Sequence, residues 1–281
     1  MATFTNQATL TYNGLTVASN IAVGEMLEVL EISKNAAQDT YVPGDELTYT
    51  VSLINTGSAA LSGITLTDDL GGYEFGETAI LYPLEFISGS LLYYVNGILQ
   101  PTPSVVSGPP MTVSGLSVPS GGNAVLIYRA RVTGYAPLEV GAEIVNTVTA
   151  GTTPDASVTA QDTVTAAGVA NLDINKSMSP TVVSENDTIT YTFDITNTGN
   201  TAADTTVVLN DTFNPVLTDI TVKLDGVELT TAQYTYNEQT GEFATVAGVI
   251  TVPAATYSKA ADTGAITVLP GTAVMTVSGT I

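Results

Sequence analysis

The stretch Leu47-Thr48-Tyr49-Thr50-Val51-Ser52-Leu53 alternates apolar and polar side chains without a break, and Ile189-Thr190-Tyr191-Thr192-Phe193-Asp194-Ile195 does the same further along. A period of two places every second side chain on one face, so each segment reads as a half-buried β-strand. Short runs rich in Val, Ile, Thr and Tyr recur along the chain, separated by Gly, Pro, Asn and Asp. That spacing is typical of β-sandwiches. No segment of helical length carries an apolar stripe at the 3.6-residue period. The sequence predicts an all-β protein.

The two quoted segments belong to an internal repeat. Leu30-Glu31-Ile32-Ser33-Lys34 matches Leu172-Asp173-Ile174-Asn175-Lys176, and Ile54-Asn55-Thr56-Gly57 matches Thr196-Asn197-Thr198-Gly199. Leu66-Thr67-Asp68-Asp69-Leu70 aligns with Leu209-Asn210-Asp211-Thr212-Phe213. Asn96-Gly97 and Asp225-Gly226 read as equivalent hairpin turns. Gly122-Asn123-Ala124-Val125-Leu126 aligns with Gly271-Thr272-Ala273-Val274-Met275. Two copies of one domain run in tandem and meet near Ala166-Ala167-Gly168.

The copies differ at one end. Past Val132 the first continues through Glu143 to Ala150 and Ala156 to Val164, a final hairpin turning around Thr153-Pro154-Asp155. The second reaches Ile281 at the position of Val132. A similar hairpin opens the chain, where residues 6–12 and 16–23 flank an Asn13-Gly14 turn and resemble Asn146 to Val164 in spacing and Thr/Val alternation. The expected division is a donor hairpin at 1–26, a complete sandwich at 27–167 and an incomplete one at 168–281. A sandwich short of two strands exposes core and sheet edges, and a lone hairpin is marginal in water. Both are satisfied if the hairpin enters the second sandwich of the next copy, with Ala8, Leu10, Tyr12, Val17, Ile21 and Val23 as its donor side chains. Such a contact uses different surfaces on the two partners and propagates head to tail. The other reading makes the hairpin an added edge of the first domain and the second copy a shorter variant.

Composition excludes much. The 281 residues include no Cys, His or Trp, and 6 Lys plus Arg against 27 Asp plus Glu give a net charge of −21. Zinc fingers, thiol nucleophiles, Ser-His-Asp triads, haem ligation and disulfide scaffolds are out. The acidity disfavours a nucleic-acid partner. No stretch approaches the ~20 apolar residues of a membrane span, and Met1 to Thr5 lack the pattern of a signal peptide. No cofactor or metal is expected. Asp68-Asp69 and the acids at Asp45 and Glu46 lack calcium-loop spacing, and Tyr93-Tyr94 and Tyr234-Thr235-Tyr236 read as strand packing. The Asn-Thr-Gly motifs read as turns with Gly at positive φ. No nucleophile–base set points to an enzyme.

Of four lysines, Lys34 and Lys176 occupy equivalent first-strand positions. Their equivalent acids are Asp68 and Asp211, and the final hairpins begin at Asn146 and, in the donor, Asn6. The Lys34 strand, Pro43-Gly44-Asp45, Tyr49, Asn55-Thr56-Gly57 and Thr67-Asp68, repeated from Lys176 through Tyr191, Asn197-Thr198-Gly199 and Asp211, resemble Domain of Unknown Function 11. This family comprises immunoglobulin-like repeats of bacterial and archaeal surface proteins. In the second copy Glu185-Asn186-Asp187 replaces Pro-Gly-Asp. The resemblance implies immunoglobulin-like sandwiches and a surface location. Through related surface domains, it also implies a Lys–Asn isopeptide bond assisted by the acid. Lys34, Asp68 and Asn146 would then react within one copy, and Lys176 and Asp211 with Asn6 of the next. Ordinary Lys–Asp ion pairs at the sheet rim are the simpler use of the same residues. The function expected is a structural subunit of an extracellular, cell- or spore-surface filament built from itself. The alternative is a monomeric adhesin or stalk module binding a host protein or glycan.

Overall fold

The structure is a computed structural model and describes residues 2–26, 29–153 and 156–281. Every regular element among them is a β-strand. The N-terminal hairpin comprises β1 (Ala2–Asn6), β2 (Thr9–Tyr12), β3 (Leu15–Ala18) and β4 (Ala22–Met26). The first copy holds β5 (Leu30–Ala36), β6 (Thr40–Tyr41), β7 (Glu46–Asn55), β8 (Leu61–Asp68), β9 (Tyr73–Phe75), β10 (Ala79–Leu81), β11 (Leu84–Phe86) and β12 (Leu92–Val95). It continues with β13 (Ile98–Gln100), β14 (Ser104–Val106), β15 (Met111–Val118), β16 (Asn123–Val132), β17 (Glu143–Thr153) and β18 (Ala156–Ala166). The second holds β19 (Leu172–Ser179), β20 (Thr188–Asn197), β21 (Asn210–Thr212), β22 (Thr218–Leu224) and β23 (Val227–Glu228). Its remaining strands are β24 (Tyr234–Tyr236), β25 (Glu242–Thr245), β26 (Thr256–Lys259), β27 (Ile266–Leu269) and β28 (Gly271–Thr280). The turn expected at Thr153-Pro154-Asp155 includes Pro154 and Asp155, which lie outside the described residues. Two compact units result, Met1–Ala136 with Ile144–Val164 and Pro137–Glu143 with Thr165–Ile281.

The first unit is a sandwich of two six-stranded sheets. One runs β13-β12-β16-β7-β5 with β11 beside β16, and the other β14-β15-β8-β17-β18-β6. The alternation seen in the sequence sets the inner faces. Leu47, Tyr49, Val51 and Leu53 of β7 point inward, as do Leu126, Tyr128 and Ala130 of β16. Ile64, Leu66, Met111, Val113, Ile144 and Val148 supply the opposite layer, all buried. The Tyr93 hydroxyl on β12 crosses between sheets, donating to the Ser117 carbonyl of β15 (2.9 Å) and accepting from its N–H (3.0 Å).

The second unit repeats the first sheet but not the second. Its five-stranded sheet runs β19-β20-β28-β22-β23, and its other described strands form the three-stranded sheet β21-β25-β24 and the pair β26-β27. Ile189, Tyr191, Phe193 and Ile195 pack with Leu209, Phe213, Phe243, Val252, Met275 and Val277 in its core. The stretch equivalent to β8 is regular only at β21, apart from an isolated bridge between Ala203 and Val252. In the first unit β8 is flanked by β15 and β17. Among the described residues of the second unit, no strand takes the place of β17 and β18. The loss shows on β19, whose side chains are all exposed, whereas the matching β5 buries its lysine.

Turn chemistry is copied between units. Asn96-Gly97 (φ 48° and 78°), Asp225-Gly226 (49° and 80°) and Asn13-Gly14 (49° and 81°) all have the paired positive φ that tight hairpins require. Asn186 (φ 67°) takes the left-handed place of Gly44 (φ 85°), so the Glu-Asn-Asp replacement keeps the turn. The Asn-Thr-Gly motifs differ from expectation: neither Gly57 nor Gly199 has positive φ. Their glycines answer to crowding instead. A Cβ on Gly199 would stand 2.2 Å from the Val169 carbonyl oxygen, and one on Gly57 3.1 Å from the Val29 side chain. The asparagines are buried ties. Asn55 donates to the carbonyls of Ala59 (2.8 Å), Val118 (3.2 Å) and Pro119 (3.1 Å), and its Oδ1 accepts from the Gly57 N–H (2.9 Å). Asn197 repeats this with Thr201, Pro253 and Gly199.

Because backbone cannot yield as a side chain can, Gly199→Ala should destabilise its unit more than Gly57→Ala does. Asn55→Ala should cost about 3 kcal/mol by stranding buried carbonyls. Urea denaturation of the three variants checks both statements.

Candidate functional site

Strand β5 carries Lys34 to the inner face of one sheet and β8 carries Asp68 to the inner face of the other. Lys34 Nζ meets Asp68 Oδ2 at 2.6 Å with both side chains fully buried. The pair lies between the sheets and not at the rim. Such a charge pair is costly to desolvate unless its remaining valences are filled. Asp68 fills its own: the Tyr128 hydroxyl donates to Oδ2, and the Leu70 N–H donates to Oδ1 at 2.9 Å. Lys34 Nζ also sits 4.9 Å from the centre of the Tyr49 ring, which stacks on Tyr128 at 5.7 Å. Burial holds the Lys34 ammonium below the ordinary lysine value despite the opposing pull of Asp68. Burial likewise raises both phenols, Tyr128 further under the influence of Asp68.

Asn146 completes the group. Val148 of β17 lies opposite Asp68 of β8, so Asn146 stands two residues along on the same inward face. Its carboxamide is close enough to the Tyr49 and Tyr128 hydroxyls to weigh on their acidities. Yet neither carboxamide atom, nor the Tyr49 hydroxyl, completes a hydrogen bond. Buried amides are almost always paired, and an orphan one costs about 1–3 kcal/mol. Within this one cavity the first unit thus brings together an amine depressed by burial, a carboxyl held by three donors and an unpaired carboxamide.

The second unit assembles half of this site. Lys176 Nζ contacts Asp211 Oδ2, with the lysine side chain 40% exposed. The ammonium lies over the rings of Tyr191 (4.7 Å), Phe193 (5.4 Å) and Phe213 (5.4 Å). No Asn completes it within the described residues of this unit. Asn6 lies exposed on β1, opposite Ala22. The counterpart of Tyr128 is Val277, so Asp211 lacks the phenol donor. Sequence comparison missed Tyr128 for that reason, since the repeat displays what the copies share and Tyr128 is what they do not. The other acids considered are committed elsewhere. Asp45 Oδ2 accepts from the Val42 N–H (2.9 Å), and Glu46 pairs with Arg129 (2.5 Å) and Arg131 (3.3 Å).

Beside β19 lies an open, mostly apolar groove lined by Leu172, Ile174, Ile195, Val207 and Leu209, with Asp173 among its lining residues. The donor side chains named from sequence are exposed on the N-terminal hairpin, among them Leu10 (68%), Tyr12 (74%), Val17 (61%), Ile21 (56%) and Val23 (67%). Ala8 is exposed with them. Among the described residues the hairpin's strands pair only with one another, β1 with β4 and β2 with β3.

No protein-family model and no characterised protein sequence matches the chain. Among solved structures it is similar to BcpA, the major pilin subunit of Bacillus cereus, at 10% identity and a TM-score of 0.36 over 96% of this chain and 73% of that one. The pilus backbone RrgB of Streptococcus pneumoniae matches at 16% identity and a TM-score of 0.35, over 86% of this chain and 55% of its own. The collagen-binding domain of a Staphylococcus aureus adhesin matches at 14% identity and a TM-score of 0.31, over 50% of this chain and 99% of its own.

Asp68→Ala should destabilise the first unit by about 3–5 kcal/mol, because it leaves Lys34 buried without its partner. In Asn146→Ala, where Lys34 stays a free amine, the unfolded chain titrates at the ordinary 10.5 and the folded one below it. In the lower part of that interval the unfolded state therefore binds more protons and stability should rise with pH, until Tyr49 and Tyr128, raised by burial, begin to titrate in the unfolded chain near 10 and turn the slope downward. Denaturant midpoints against pH check the sign.

Proposed function

We propose that the protein is a structural subunit of a self-assembling extracellular filament, in which the N-terminal hairpin of one copy completes the second sandwich of the next. The observation that carries this reading is the contrast between matching strands. β5 buries Lys34 against Asp68 of β8, while β19, with the same sequence pattern, lies open beside a mostly apolar groove. The hairpin has the form of the missing piece. If Asn6 takes the place of Asn146, Leu10 takes that of Ala150, which lies opposite Leu66 in the first unit. Leu10 then faces Leu209, and the larger side chain suits a groove that the first unit does not have.

The same placement brings Asn6 to Lys176 and Asp211 as Asn146 stands to Lys34 and Asp68. The chemistry in each case is one acyl transfer. Proton transfer from the ammonium to the carboxylate leaves a neutral amine, whose nitrogen attacks the Asn Cγ. The new N–C bond forms, the Cγ–Nδ2 bond breaks, the carboxyl proton passes to the departing nitrogen to give ammonia, and the attacking nitrogen returns one proton to the carboxylate. Tyr128 helps to hold the carboxyl of the first site in place. One bond would brace each subunit and the other would seal each joint, so the protein's only chemistry would be single-turnover and self-directed. Location on a cell or spore surface follows from the use of such a fibre.

Purified full-length protein should form fibres visible by electron microscopy, and deletion of residues 2 to 20 should abolish them while leaving the first unit folded. Fibres from the deleted chain, or monomers from the full chain, would sink the assembly. Intact mass should fall by one ammonia per bond. Lys34→Ala should restore one ammonia to the monomer, and Asn6→Ala should give fibres that dissociate in hot detergent. An unmodified mass would remove the covalent step alone.

A further inference from the structure

The hairpin does not fold in the register its apolar residues require. From the Asn13-Gly14 turn the ladder is regular, with Tyr12 opposite Leu15, Leu10 opposite Val17, and the Ser19 N–H donating to the Ala8 carbonyl at 2.8 Å. Continued without interruption it would set Asn6 opposite Ile21 and Phe4 opposite Val23. Instead Asn6 lies opposite Ala22, Thr5 opposite Val23 and Phe4 opposite Gly24. Asn20 and Ile21 together face Gln7, which is a one-residue bulge.

Side chains hold the bulge in place. The Ser19 hydroxyl accepts the Ala8 N–H (3.0 Å), and Gln7 Nε2 donates to the Ser19 carbonyl (2.7 Å), so Ala8 and Ser19 do not complete their second ladder bond. The Phe4 ring rests over Gly24, where a Cβ would lie 2.3 Å from Cζ. A slip of one residue moves side chains to the other face. In the observed register Val23 shares its face with Thr5. In the uninterrupted one a single face carries Phe4, Val23, Asn6, Ile21, Ala8, Ser19, Leu10, Val17, Tyr12 and Leu15.

The first unit shows which register completes a sandwich. There the Ala166 N–H donates to the Ala142 carbonyl (2.8 Å), and the ladder continued two residues along both strands sets Ile144 opposite Val164, both of them buried. Ile144 aligns with Phe4 and Val164 with Val23.

We propose that Phe4 and Val23 are the anchor pair of the donor hairpin, brought face to face by a one-residue slip that expels the bulge as the hairpin enters the second sandwich of another copy. The inference rests on the assembly proposed above. It makes the bulge a catch: the detached hairpin keeps Val23 on its polar side, and the groove of the acceptor supplies the burial that drives the slip.

The chain has no cysteine, so a disulfide can report the register. Opposed residues on paired strands lie within disulfide reach, whereas residues one position out of step point to opposite faces. In the dissociated full-length chain Phe4→Cys/Gly24→Cys should close and Phe4→Cys/Val23→Cys should not. In fibres the second pair should close. The oxidised first pair should assemble only after reduction. Two single-site changes keep Phe4 in place. Ser19→Ala should speed assembly roughly tenfold, about the worth of one to two hydrogen bonds. Deleting Asn20 makes the ladder continuous with Val23 still opposite Thr5, and should abolish assembly. Closure of the Phe4→Cys/Gly24→Cys pair inside fibres, or normal assembly without Asn20, would overturn the slip while leaving the donor hairpin standing. Fibres formed without residues 2 to 20 would overturn the assembly itself.

Discussion

An ammonium and a carboxylate placed between two β-sheets set the terms for the rest of the molecule. Moving the pair out of water costs several kcal/mol per ion, and mutual attraction repays it only if the other lone pairs and protons are also satisfied. In the first unit the two groups come from opposite sheets, Lys34 on β5 and Asp68 on β8, so both sheets must hold register for the contact to exist. Tyr128 and the Leu70 N–H satisfy the carboxylate, and β17 closes the cavity with Asn146. In the second unit the lysine and acid are retained without the closing strands. Its ammonium turns to aromatic faces and remains part-exposed to water. One interaction in two degrees of burial accounts for most of what distinguishes the copies.

The parts of this arrangement legible in the sequence were those that repeat. Period-two alternation fixes strand faces because successive side chains of a strand must point opposite ways, and it located β7 and β20 directly. The equivalence of Lys34 with Lys176 and Asp68 with Asp211 was legible because both pairs stand at matching places in the repeat. Tyr128 was invisible, since its counterpart is Val277 and nothing local marks a strand tyrosine as a hydrogen-bond donor to a distant acid. The glycines of the Asn-Thr-Gly motifs were seen but misread. A glycine needed for φ and one needed for close approach look alike in sequence, and only the backbone around Gly199 separates them. The bulge between β1 and β4 was hidden for a related reason: alternation gives the preferred face of each strand, not the register in which two strands meet.

The hairpin departs from the amphipathic face its own sequence favours. In water that departure is reasonable. Aligning Phe4, Leu10, Tyr12, Leu15, Val17, Ile21 and Val23 on one face would present a continuous apolar ribbon, a feature that drives indiscriminate association. Bulges and broken register are ways in which exposed strands are kept from pairing too readily. A few hydrogen bonds from Ser19 and Gln7 suffice to hold this one, because without an acceptor there is little burial to oppose them. Inside the sandwich proposed to receive it the balance would reverse, since each fully buried aliphatic or aromatic side chain contributes roughly 1.5–3 kcal/mol.

The net charge of −21 belongs in the same balance. Copies so acidic repel one another over about a Debye length, ~8 Å at physiological ionic strength, and this suppresses chance contact between exposed apolar faces. Contact at much shorter range is governed by burial and fit. In the proposed assembly, donor residues that carry no charge would meet a groove whose one acid is Asp173, so no two acids would be brought together there. Long-range repulsion would therefore act on chance encounters more than on the proposed one. The few cations add to this selectivity. Two of the four lysines are placed against the acids at the two equivalent sites, and both arginines pair with Glu46 on one strand face. Most of the positive charge is held at a few fixed contacts, which leaves the remaining surface predominantly acidic and repulsive.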